Sequence, residues 1–146
     1  MKTYQEFHDG HFEGFWIPNN GLIHIFLRTV GSMEYVFLLN GVVMLKATDF
    51  KEGNIILDVS FRNYEDIDFN DIKMLYDLDH DIPTDNWELK LLDKIESDKL
   101  IVLEINPSYG GSCLVLAKSM EVITRKEWIN SILQSIGKNA ETPSLT

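Results

Sequence analysis

MEYVFLLNGVVMLKATDFKEGNIILDVSF, Met33 to Phe61, holds three short apolar runs: Tyr35 to Leu39, Val42 to Leu45 and Ile55 to Val59. Val, Ile, Phe and Tyr dominate them, and β-branched and aromatic side chains suit a pleated, half-buried surface better than a helix. Asn40-Gly41 separates the first two runs. Both residues tolerate the positive φ of a type I′ turn, so the pair predicts a hairpin; a bulge in one long strand is the alternative. The third run follows Gly53-Asn54, where glycine supplies a turn, and extends as a strand from Asn54 to Arg62. The rest of the chain reads as built around this sheet.

Towards the N-terminus, His11 to Ile17 (HFEGFWI) reads as a first strand, closed by Pro18-Asn-Asn-Gly21. Leu22 to Val30 is a second. Ile23, Ile25 and Leu27 share one face, and His24, Phe26 and Arg28 share the other. Gly31-Ser32 then predicts a two-residue turn.

After Asn63 the periodicity changes. Asp68 to Leu78 places Phe69, Ile72, Leu75 and Tyr76 at helical steps. Thr84 or Asp85 caps a second helix whose apolar face is Trp87, Leu91, Leu92 and Ile95. Leu100 to Ile105 (LIVLEI) is a strand, Asn106 to Ser112 a loop, and Cys113 to Ala117 a further strand that Glu121 to Ile123 extends. Arg125 to Ile136 closes the chain as a helix. Thr124 and Glu127 form its capping box, Trp128, Ile132 and Leu133 dock it, and Gly137 ends it. The fold class is α+β: an antiparallel β-meander sheet of seven to eight strands, two inserted helices and one C-terminal helix. Residues 1–137 form a single domain, and 138–146, polar with a proline, read as a disordered tail.

The chain has 146 residues, 45% of them hydrophobic and 25% charged, which is enough for a real core. No apolar run is long enough for a membrane span, and the N-terminal residues lack the apolar core of a signal peptide. The single cysteine, Cys113, excludes an intramolecular disulfide, and a cytoplasmic setting is the expectation. Net charge is −10, and residues 64–99 carry −8 of it, from 12 acidic side chains and 4 lysines. A field of that sign repels nucleic acid and steers a basic protein inward.

Four groups of residues have chemistry in their spacing. Asp77, Asp79, Asp81, Asp85 and Glu88 fall at positions 1, 3, 5, 9 and 12 of an EF-hand-like loop. Ile82 stands where that loop needs glycine, so an acidic turn is the stronger reading and no metal is assigned. His8-Asp9-Gly10-His11 places two imidazoles around a carboxylate, but an odd spacing in extended chain points them apart. Cys113 follows Tyr109-Gly-Gly-Ser112 without a base or an oxyanion hole beside it, so it reads as a small core residue. Glu104 interrupts LIVLEI; alternation sets it with Leu100 and Val102, on a solvent-facing side. Were it turned inward its pKa would rise, and with His24 and His80 it would make a ligand pocket between sheet and helices. Trp16, Trp87 and Trp128 read as core anchors. No cofactor motif is present, and no cofactor is expected.

The segments FHDG (Phe7 to Gly10), NGVVML (Asn40 to Leu45) and DFKEGNIILDV (Asp49 to Val59) resemble a group of small uncharacterised bacterial proteins. Some of that group look like immunity proteins of polymorphic toxin systems. The resemblance implies a single-domain cytoplasmic protein that binds and blocks a cognate toxin. Asp77, Asp79, Asp81, Asp85 and Glu88, within the acidic segment Glu65 to Asp98, are then the expected contacts to a basic toxin. The rival expectations are an enzyme or small-ligand binder using His24, Glu104 and His80, and a calcium-binding module.

Overall fold

The computed structural model describes residues 1–140, with side chains through Lys138. Nine strands and three α-helices follow one another: β1 Lys2–Thr3, β2 His11–Trp16, β3 Leu22–Arg28, β4 Glu34–Asn40, β5 Met44–Thr48, β6 Ile55–Arg62, α1 Phe69–Tyr76, α2 Asn86–Ser97, β7 Ile101–Tyr109, β8 Ser112–Ala117, β9 Ser119–Thr124 and α3 Arg125–Ala140. Short 3₁₀ turns stand at Gln5–Phe7 and Tyr64–Asp66. The α+β class and the antiparallel sheet agree with the sequence reading. The strand β1, which pairs with β6, has no sequence signal because it is only two residues long.

Asn40-Gly41 does not make a hairpin. The strand β4 pairs with β3 and β9, while β5 pairs with β8. Gly41 has the expected positive φ of 61°. A third segment occupies its hydrogen bonds: the Lys118 amide donates to the carbonyls of Asn40 and Gly41 at 3.0 and 3.2 Å. The pair therefore bends one long strand, β4–β5, and Lys118 bends its partner, β8–β9. The ladder order is β5-β8-β7-β6-β2-β3-β4-β9. Its two ends are halves of strands already within the path: β5 continues β4 and β9 continues β8, and Val43 N–H to Leu116 O at 2.8 Å carries the β5–β8 pairing up to the bend. The sheet thus curls round onto itself, which removes most of its open edge.

One face of every long strand points into this curl. Phe7, Phe12, Ile23, Ile25, Leu27, Phe37, Leu39, Ile56, Val59, Leu103, Ile105 and Val115 form the enclosed core with Cys113. The outer face of β7 and β8 supplies Val102, Leu114 and Leu116, which α1 and α2 cover with Ile72, Leu75, Leu91 and Ile95. The outer face of β3 and β4 lies under α3. Helices therefore cover two separate parts of the outside.

Several boundaries move. Five residues, 29–33, separate β3 and β4, and the Thr29 N–H to Met33 O bond at 2.9 Å closes the turn over residues 30–32. The expected loop Asn106–Ser112 is mostly strand, since β7 runs to Tyr109. Pro107 is accommodated there because it faces a bulge of β6 around Ile56. The cap of α1 is Asp68, with Asp71 completing a capping box. The helix α3 passes through Gly137 to Ala140 instead of ending at Ile136. Nothing lies within 4 Å of a Cβ built at Gly137, so this glycine sits on an open helix face and does not serve as a C-cap. Residues 141–146 of the expected tail lie outside the described residues.

Candidate functional site

The acidic loop between α1 and α2 is built from both helix ends. The helix α1 stops at Asp77, in the left-handed region at φ 54°. At the other end Glu88, the third residue of α2, is completely buried and turned back on the loop. Its Oε2 accepts the amides of Thr84 (2.8 Å) and Asp85 (3.4 Å), and its Oε1 lies 2.7 Å from His80 Nε2. Phe69 lies against the imidazole at 5.8 Å between ring centroids. Burial alone would push the Glu88 carboxyl up, but the Thr84 amide, His80 and the Asp85 amide outweigh it and hold it below its ordinary value. Chiefly through the bond to Glu88, His80 is raised. This pair, Glu88 buried and His80 half-buried, is the frame of the loop.

The remaining carboxylates point outward and apart. Asp77 pairs with Lys46, whose Nζ also donates to the Met74 carbonyl at 2.8 Å. Asp81 pairs with Lys73, which lowers its pKa. Asp79 is fully solvated, and Asp85 caps α2. Asp77, Asp79, Asp81, Asp85 and Glu88 therefore do not converge as calcium ligands. Among the described residues no group of three or more His, Cys, Asp or Glu side chains gathers around a common point. Ile82, Trp87 and Leu89 are exposed beside the carboxylates. Trp87 was expected on the buried face of α2; instead Glu88 occupies that side, and Trp87 rests on Tyr76 at 5.1 Å.

The pocket residues His24, Glu104 and His80 are not brought together. His80 belongs to the loop. His24 is on the outer face of β3, where Trp128 of α3 donates its indole N–H to Nδ1 at 3.0 Å. Glu104 does lie with Leu100 and Val102, as alternation requires, but that face is covered, not solvent-facing. Its Oε2 accepts from Arg62 Nη1 at 2.8 Å, and the other arm of the guanidinium holds Asp71. Burial would lower the Arg62 pKa, but the bonds to Glu104 and Asp71 raise it overall. Asp71 is raised because desolvation exceeds the opposing bonds from the Asp68 amide and Arg62. Two lone residues of this triad, Arg62 and Asp71, had no motif to announce them; only the pairing of β6 with β7 under α1 shows their role.

Beside Glu104 a cavity of about 450 Å³ opens between α1 and strands β5, β7 and β8. Lys46, Thr48, Lys73, Glu104, Asn106 and Ser112 give it a polar rim. Thr48 and Ser112 share a hydroxyl–hydroxyl bond of 2.6 Å. Cys113 borders it but belongs to the enclosed core, and burial pushes its thiol up to about 12, which keeps it protonated and inert. Near the N-terminus His8 pairs with its neighbour Asp9 at 3.2 Å, while His11 stands in β2 opposite Arg28. Of the tryptophans, only Trp128 and Trp16 meet, at 6.2 Å.

The fold and these sites define an α+β protein with a curled antiparallel sheet and a framed acidic loop. Comparison with known proteins adds nothing to that description: no family model, no curated protein and no solved structure matches the chain.

Proposed function

We propose that this chain is a non-catalytic protein-binding module that sequesters a basic protein, most concretely a cognate toxin, through the α1–α2 loop. The observation that supports it is the construction of that loop. His80 and Glu88 fix it from inside, so Asp77, Asp79, Asp81 and Asp85 face a partner without first having to be ordered. Ile82 and Trp87 offer apolar contact among the charges, the mixture that gives interfaces both anchoring and steering. Glu88, named among the expected contacts, acts instead from beneath.

The test is host growth with the product of the adjacent gene expressed alone and then together with this chain. Rescue by the wild type and loss of rescue by Asp79→Lys/Asp81→Lys support the reading. A harmless neighbour, or undiminished rescue by the reversed loop, removes it. A second reading, a small-ligand binder, is favoured by the cavity beside Glu104. It requires a metabolite that raises the melting temperature of the wild type and not of Glu104→Gln.

A further inference from the structure

The helix α3 is attached unlike α1 and α2. Those two bury Ile72, Leu75, Leu91 and Ile95 against the sheet. In α3, Ile129, Leu133 and Ile136 all face solvent; Leu133, expected to dock, is 60% exposed. Its hold on the sheet is concentrated in Trp128, with Ile132 half-buried one turn further on. The indole packs edge-on against Phe26 at 5.1 Å and His24 at 6.2 Å, and Arg125 lies over the rings of Phe26 and Trp128 at 4.7 and 5.3 Å. At the centre is the 3.0 Å bond from the indole N–H to His24 Nδ1.

An indole is a donor only, so His24 must be neutral, with its proton on Nε2, to accept it. We propose that α3 is an acid-released strap: protonation of His24 breaks the bond to Trp128 and frees the helix from the outer face of β3 and β4. Protonation sets N–H against N–H and places a second cation beside a knot that already holds Arg125. The surroundings offer His24 no counter-charge. From β2 the group facing it is Trp16, and from β4 the residue opposite is Leu38. On β9, Glu121 stands across Leu38, one strand further away. On α3, Glu127 is engaged with the Thr124 amide at 2.8 Å. Burial lowers the His24 pKa from 6.5, consistent with a site that resists the proton until the medium is acidic. The sheet itself does not depend on this bond, because its enclosed core lies on the other side of β3.

The experiment follows the Trp128 indole and α3 amide resonances of the whole chain from about pH 7.5 to about pH 4.5. Trp128→Phe assigns the indole signal. The expected result is a transition with its midpoint below 6.5, in which α3 amides lose order while β3 and β4 amides keep their protection against hydrogen exchange. In the acid limb, docking should weaken by about tenfold per pH unit, as a single linked proton requires. In His24→Asn, whose Oδ1 accepts the indole N–H without titrating, α3 should stay docked throughout. The proposal fails if His24 ring signals titrate while α3 remains in place, if His24→Asn releases the helix at the same pH, or if α3 is lost only together with the sheet.

Discussion

Asn54 shows how much one side chain can organise. It is buried, and its Oδ1 accepts the amides of Lys51 (2.8 Å) and Gly111 (2.7 Å), while Nδ2 donates to the Phe12 carbonyl at 3.3 Å. It thereby ties the β5–β6 loop to β2 and to the β7–β8 turn. Asn54→Leu leaves the buried Gly111 amide and the part-buried Lys51 amide without acceptors and should cost about 2–4 kcal/mol in urea unfolding; a smaller loss than about 1 kcal/mol would mean that the three segments hold themselves. Of the two glycines nearby, Gly110 serves the same contact and Gly53 does not. A Cβ at Gly110 would lie 2.3 Å from Asn54 Oδ1, whereas one at Gly53 meets nothing within 4 Å. Both have positive φ, 84° and 76°, so alanine is strained at either. Gly110→Ala should therefore destabilise clearly more than Gly53→Ala, and equal effects would deny the Asn54 contact its importance.

At the scale of elements, two ionic devices seat the inserted helices. Arg62 of β6 bridges Glu104 of β7 and Asp71 of α1, all three nearly enclosed. Arg62→Met leaves two mostly enclosed carboxylates without their shared cation, and a loss of about 3–5 kcal/mol is expected. A loss no larger than that of an exposed ion pair would show that solvent reaches them. The His80–Glu88 pair frames the loop and makes its stability depend on pH. With its folded-state pKa raised, His80 contributes fully below its unfolded value of 6.5 and loses the contribution as pH rises through the folded value. Glu88, depressed from 4.5, contributes above that value and loses it as pH falls through the folded one. Loop protection against hydrogen exchange or proteolysis should thus peak between 4.5 and 6.5 and decline in alkali. His80→Gln should flatten the alkaline decline; an unchanged profile would place its origin elsewhere.

For the molecule as a whole, Cys113 is a built-in reporter. It lies within the curled sheet with its thiol pushed up to about 12. Modification by a thiol reagent should proceed only through global opening, at a rate that tracks urea-measured stability across the Asn54 and Arg62 variants. Fast labelling in native buffer would mean that the cavity beside it admits the reagent. This core and the α3 strap lie on opposite sides of β3, so the proposed acid release of α3 should add nothing to the fall in labelling rate that the loss of thiolate alone causes as pH drops.

Strand and helix positions were largely legible because alternation and helical spacing are local. Ile23, Ile25 and Leu27 fall on one strand face, and Ile72 and Leu75 on one helix face, by local spacing alone. Capping was partly legible: the Thr124–Glu127 box reads from sequence and the cap of α2 narrows to Thr84 or Asp85, but Asp68 does not stand out, because its reciprocal partner Asp71 is equally able to face Arg62. The functional candidates were the least legible. The acidic spacing from Asp77 to Glu88 was visible, yet nothing local says that Glu88 turns inward to His80 while Asp79 faces water.

By itself, then, the sequence determined the α+β class, the antiparallel sheet, the order of helices and strands and the concentration of acidic charge. Each follows from side-chain periodicity or composition. Tertiary structure alone decided that Asn40-Gly41 bends a strand, that the sheet closes on itself, that Glu104 meets Arg62, and that Trp128 meets His24. All four depend on contacts between segments far apart in the chain. In the first, the Lys118 amide takes the Asn40 and Gly41 carbonyls that a hairpin turn would have used within itself.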